Sequence, residues 1–159
     1  MSKTVPFNKA KIEEILATYP TPFHIYDEAA MIANAKQLQA AFSWNEGFKE
    51  FFAVKAAPNP YLIKVLSEVG FGCDCSSHPE LLLSESAGVV GENIMFTSNN
   101  TAAYEYQKAR ELGAVINLDD ISHIAYLEEH AGLPDLLSFR YNPGNLKEGN
   151  DIIGNPEEA

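Results

Sequence analysis

Between Phe48 and Tyr141 the chain alternates short apolar runs with amphipathic stretches, and no other feature narrows the possible folds as far. Residues 48–55 form an aromatic and apolar run that stops at Ala56-Ala57-Pro58, the signature of a buried strand. Asn59-Pro60 supplies a cap and a first-turn proline for a helix running to about Val69. The pattern then repeats. Strands are expected at 73–76, 94–98, 115–118 and 136–141, with helices at 77–88, 101–112 and 121–130 between them. Upstream lie a short amphipathic helix at 7–19, stopped by Pro20 and Pro22, a strand at 23–26 and a helix at 28–42 capped by Asp27.

Strands joined by helices through short connections must run parallel, because only a crossover returns the chain to the same end of the sheet. The repeat of about 20–25 residues suits a (β/α)8 TIM barrel or a doubly wound sheet. No Gly-x-Gly-x-x-Gly follows a strand, which disfavours the dinucleotide-binding version. Five strands are expected from residue 48 onward, whereas a closed barrel takes about 250 residues. The expectation is therefore α/β: a partial barrel truncated after about five strands, with 1–47 leading in and 48–159 as its first half. Uncovered strand edges and sheet faces would promote self-association, and activity of these residues alone is expected to be slight.

A net charge of −11 argues against a nucleic-acid partner and against adhesion to an anionic membrane. No apolar run approaches the length of a membrane span, and the N-terminus lacks a signal-like apolar segment. Cys73 and Cys75 share one strand face at a spacing poor for a disulfide, so free thiols packed as small hydrophobes in a reducing cytoplasm are expected. Two cysteines are too few for structural zinc, and His24, His78, His123 and His130 show no ligand spacing, so no metal is expected. Of the histidines His78 is nearest the strand ends, where starting a helix is the simpler role.

Active groups in parallel βα folds collect at the C-terminal strand ends. Here those ends carry Lys55, then Asp74 with Ser76 and Ser77, then Ser98-Asn99, Asp119-Asp120 and Arg140. Strand alternation puts Phe51, Ala53 and Lys55 on one face, and likewise Gly72, Asp74 and Ser76, and Leu136, Ser138 and Arg140. If those faces point inward, Lys55, Asp74 and Arg140 meet at one mouth. A lysine closing a buried strand beside an arginine favours the neutral amine, the form that attacks an aldehyde. Each feature also has a plain structural reading: a solvated exit for Lys55, an ion pair for Asp74 and Arg140, and a capping box for Ser77 and Glu80.

Four segments in this order carry a family resemblance: Thr21-Pro22-Phe23-His24-Ile25-Tyr26-Asp27, Phe52-Ala53-Val54-Lys55-Ala56, Gly72-Cys73-Asp74-Cys75-Ser76-Ser77 with Glu80, and Arg140-Tyr141-Asn142-Pro143-Gly144. Together they resemble diaminopimelate decarboxylase, a member of the alanine-racemase-like (fold type III) class of pyridoxal-phosphate enzymes, and the resemblance runs from about Thr21 onward. It implies a TIM barrel followed by a β domain, a homodimer, and decarboxylation of meso-diaminopimelate to L-lysine in lysine biosynthesis. By the same resemblance Lys55 is the lysine that carries pyridoxal 5'-phosphate, with Asp74, Ser77 and Arg140 beside the cofactor. The family's ring-stacking histidine, glycine-rich phosphate loop, acidic partner of the pyridine nitrogen, substrate-binding residues and interface cysteine come later than residue 159. Ala57 stands where the family often has asparagine. Related readings are a decarboxylase of ornithine, arginine, lysine or carboxynorspermidine, a non-catalytic pyridoxal-phosphate-binding barrel, and an interaction domain with a vestigial Lys55.

Overall fold

The computed structural model describes residues 5–141. They fall in two compact units, divided between Phe48 and Lys49. The first holds two helices. Helix α1 (Lys9–Leu16) starts where the Asn8 side chain accepts from the Lys11 N–H at 3.0 Å, and α2 (Glu28–Ala41) where Asp27 accepts from Ala30 N–H at 2.9 Å. The expected strand at 23–26 is absent: that stretch is irregular and mostly exposed, with no ladder partner among the described residues. β-prone residues make a strand only when another strand is there to pair with.

The second unit contains a parallel five-stranded sheet in sequential order: β1 (Phe51–Ala53), β2 (Gly72–Cys75), β3 (Ile94–Ser98), β4 (Val115–Leu118) and β5 (Leu137–Phe139). Helices α3 (Pro60–Glu68), α4 (His78–Ser86), α5 (Ala103–Glu111) and α6 (His123–Ala131) connect successive strands. This is the α/β arrangement expected of a partial (β/α) barrel, in which each new strand is added beside the previous one.

Two faces separate cleanly. In register across the sheet, Cys73, Cys75, Ile94, Phe96, Ile116 and Leu118 join one buried cluster with Ile63 of α3, Leu81 of α4, Tyr106 and Ala109 of α5 and Leu127 of α6. Phe96 meets Tyr106 edge-on, centroids 6.2 Å apart. The other face carries Ala53, Asp74, Met95, Thr97, Val115, Asn117 and Ser138, all half-buried. Close approach explains Gly72: a Cβ there would lie 2.5 Å from the Phe51 ring and 2.7 Å from the Asn93 carbonyl oxygen.

Both cysteines are free and buried, as expected. Cys75 Sγ lies 3.2 Å from Ser84 Oγ of α4, and burial pushes its pKa up to about 12. Such a thiol packs and does not react.

Candidate functional site

The rim formed by the C-terminal ends of the strands carries Lys55, Asp74, Ser76, Ser77, Asn99, Asp119 and Arg140, whereas Asn142-Pro143-Gly144 lies outside the described residues. Lys55 departs from expectation in its setting. β1 ends at Ala53, and Val54–Ala56 turn into a 3-10 helix closed by the Ala57 N–H donating to the Val54 carbonyl at 3.2 Å. Pro58 offers no N–H, so the ladder could not continue far. Val54 is wholly buried while Lys55 is exposed, so Lys55 stands on a turn above the sheet and does not close a buried strand.

Asp74 lies on the half-exposed face, opposite Ala53 of β1 and Met95 of β3. Burial raises its carboxyl pKa; the Lys55 charge opposes this, Glu80 adds to it, and Arg140 opposes it again. Both cations thus favour the ionised carboxylate, while neither forms a direct ion pair with it among the described residues.

Arg140 extends β5 by one ladder bond, its N–H donating to the Leu118 carbonyl at 2.9 Å. Its guanidinium does not pair with Asp74. It reaches Asp119 at the end of β4 (2.8 Å) and donates to Asn99 Oδ1 beyond β3 at 3.4 Å. Neighbouring strand ends compete for a long side chain, and Asp119, one strand away, is nearer than Asp74, three strands away. Asp119 was legible as a strand-end acid, and its adjacency to Arg140 follows once β4 and β5 are paired.

Ser77 occupies the N-cap of α4 without a capping bond from its side chain. The expected capping box is replaced by a different arrangement. Glu80, only 8% exposed, accepts from the Ser77 hydroxyl at 2.8 Å, the Ser76 hydroxyl at 3.0 Å and the Ser76 N–H at 3.1 Å. A buried carboxylate needs several donors, and these supply them. The His78 N–H at the start of α4 donates instead to Glu105 of α5 (2.9 Å), which also accepts from the Ala102 N–H (2.9 Å). Glu105 ties the β2–α4 and β3–α5 loops together. Nothing in the sequence pattern pointed to it, because its two partners are backbone groups of separate loops. The His78 ring sits edge-on to Tyr104, 5.2 Å between centroids.

The donor set fits the aldehyde end of pyridoxal phosphate. Lys55 offers an accessible primary amine beside the small side chains of Ala53, Ala56 and Ala57, and the half-buried carboxyl of Asp74 stands on the neighbouring strand.

Comparison with known proteins agrees. Protein TabA of Pseudomonas amygdali pv. tabaci is 42% identical over 93% of this chain and 34% of its own length. The diaminopimelate decarboxylase of Methanothermobacter thermautotrophicus is 35% identical over 82% of this chain and 31% of its own. The crystal structure of Helicobacter pylori diaminopimelate decarboxylase complexed with L-lysine superposes with a TM-score of 0.72 at 27% identity, covering 84% of this chain and 34% of that one. The chain thus spans about a third of the length of the curated relatives it matches. Residues 28–158 match the family model described as pyridoxal-dependent decarboxylase, pyridoxal binding domain, and the chain belongs to that family.

Proposed function

We propose that this chain serves the pyridoxal-phosphate-dependent decarboxylation of meso-diaminopimelate to L-lysine and carbon dioxide, with residues 48–159 as the first half of the pyridoxal-binding barrel. Lys55 carries the cofactor, and Asp74, Ser77 and Arg140 line its seat. The observation that carries this reading is the match of residues 28–158 to a pyridoxal-binding domain whose parallel strands end near Lys55, Asp74 and Arg140. When bound, pyridoxal phosphate supplies an electron sink for the charge left by departing carbon dioxide. Lys55 contributes the amine that meets the cofactor's aldehyde and exchanges protons at Nζ. Asp74, half-buried, orients that amine, and Arg140, steadied by Asp119, presents positive charge to an anionic group. The substrate rests on relatives named diaminopimelate decarboxylase that align with most of the chain. Cytoplasmic residence and a homodimer belong to the same reading; no helix among the described residues is long and apolar enough to cross a membrane.

The test is an absorbance spectrum with added pyridoxal phosphate, followed by borohydride reduction and peptide mapping. A yellow adduct on Lys55, absent in Lys55→Ala, is the expected result. A reduced adduct spread over several lysines, or unchanged in Lys55→Ala, overturns the assignment. A second reading rests on one observation: the 42% identical relative is named TabA and not diaminopimelate decarboxylase. Ornithine, arginine, lysine or carboxynorspermidine would then replace diaminopimelate, and carbon dioxide release measured with each acid separates the two.

A further inference from the structure

Glu80 does more than brace the loop after β2. A serine hydroxyl has one proton to give, and a carboxylate only accepts. Ser76 and Ser77 both spend that proton on Glu80 Oε1. An N-cap serine ordinarily uses a lone pair to accept from the second or third helical N–H. Ser77 does not, and the His78 N–H is taken by Glu105. Both hydroxyl oxygens therefore keep lone pairs that no donor among the described residues uses. Ser76 follows Asp74 by two residues and Ser77 by three, and both are half-buried at the same rim.

Resting on the cofactor-site reading above, we propose that Glu80 is a positioning residue that fixes Ser76 and Ser77 as one-way acceptors, so this part of the rim receives a primary ammonium group and turns away phosphate. An ammonium has three donors and no acceptor, which complements the exposed lone pairs. A phosphate is anionic and presents chiefly acceptors, which meet two lone-pair faces with the carboxylates of Asp74 and Glu80 behind them. Ser77 thus serves the amine end of the site. The ammonium comes either from Lys55 itself or from an amino-acid substrate.

The experiment follows the Ser76 and Ser77 amide signals by NMR in the cofactor-free chain, titrated separately with n-butylammonium, its neutral isostere 1-butanol, and inorganic phosphate. Butylammonium is expected to shift both signals saturably, in the wild type or in Lys55→Ala, while butanol and phosphate do not. Binding at least about tenfold tighter in Lys55→Ala, worth one charge-assisted hydrogen bond, identifies Lys55 as the resident donor. Equal binding identifies an external amine. In Glu80→Gln the new amide N–H groups donate to the serines, whose protons turn outward; ammonium binding should weaken about tenfold and a phosphate response should appear. Ser76→Ala/Ser77→Ala keeps Glu80 and should lose ammonium binding without gaining phosphate binding, which decides the matter if Glu80→Gln loses its dispersed spectrum. The proposal is overturned by a phosphate response in the wild type, by no ammonium response in both wild type and Lys55→Ala, or by unchanged ammonium binding in the serine double variant. Pyridoxal phosphate is absent throughout, so failure here is distinct from failure to form the Lys55 adduct.

Discussion

Cys73, Cys75, Ile94, Phe96, Ile116 and Leu118 alternate along the strands with Asp74, Met95, Thr97, Val115 and Asn117, so the same strands serve two faces of opposite chemistry. The first face is buried against four helices, and its polar atoms are few and matched. The second stays half-buried and becomes polar toward the strand ends, where Asn117 donates to Thr97 at 3.2 Å and Asp74 feels two cations. Stability concentrates where water is excluded from apolar surface, and reactive groups collect where a ligand can still reach. A residue's face, more than its type, decides which of the two it serves.

The comparison breaks most visibly at Phe96, which is 1% exposed. Phe96→Ala should lower unfolding free energy by about 3–5 kcal/mol in urea, as for large cavities in packed cores. Met95→Ala, one residue away on the other face, should cost clearly less. Equal losses would mean that the two faces are packed alike. Next comes Gly72→Ala, where the added methyl meets the Phe51 ring and the Asn93 carbonyl; overpacking of this kind costs about 1–3 kcal/mol. Gly72→Ala/Phe51→Ala should recover only part of that loss, because the carbonyl is backbone and cannot step aside.

Much of this division was legible in the sequence. The strands at 94–98 and 115–118 fall where alternation put them, and Asn59 and Asp27 cap their helices as their spacing implies. Alternation also placed Asp74 and Ser138 on the face opposite the core. It failed at Lys55, because a period of two holds only while the ladder lasts, and the 3-10 turn ends it at Ala53. It failed at 23–26, where local preference lacked a partner strand. The capping-box spacing of Ser77 and Glu80 identified a true pair with the wrong donor. Glu105 and the Arg140–Asp119 bridge are long-range contacts between loops, invisible until the strands are set side by side.

Asp74 tests the polar face from its energetic side. Burial raises its pKa in the folded state despite Lys55 and Arg140. A raised carboxyl pKa means that the folded state binds the proton more tightly than the unfolded chain. The resulting stabilisation is present below the unfolded value of about 3.9 and is lost as pH rises through the folded value. Asp74→Asn, neutral at every pH, should therefore be more stable than the wild type at pH 7, with the gap closing near pH 3. Urea midpoints at both values measure it. A variant that is less stable at pH 7 would make Asp74 a structural partner of Lys55.

The smallest effect should come from the Arg140–Asp119 bridge. Its side chains are 44% and 23% exposed, so solvent screens a contact only 2.8 Å long. Exposed pairs contribute about 0–1 kcal/mol, and less as salt is added. A double-mutant cycle of Asp119→Asn with Arg140→Gln should give a coupling in that range that shrinks between 0.05 and 0.5 M salt. Asp119 then orients a guanidinium without holding the sheet together, which is the role a ligand-facing rim calls for. A coupling above about 2 kcal/mol that ignores salt would match a desolvated pair, and would move the boundary between the supporting face and the reactive face out to the ends of β4 and β5.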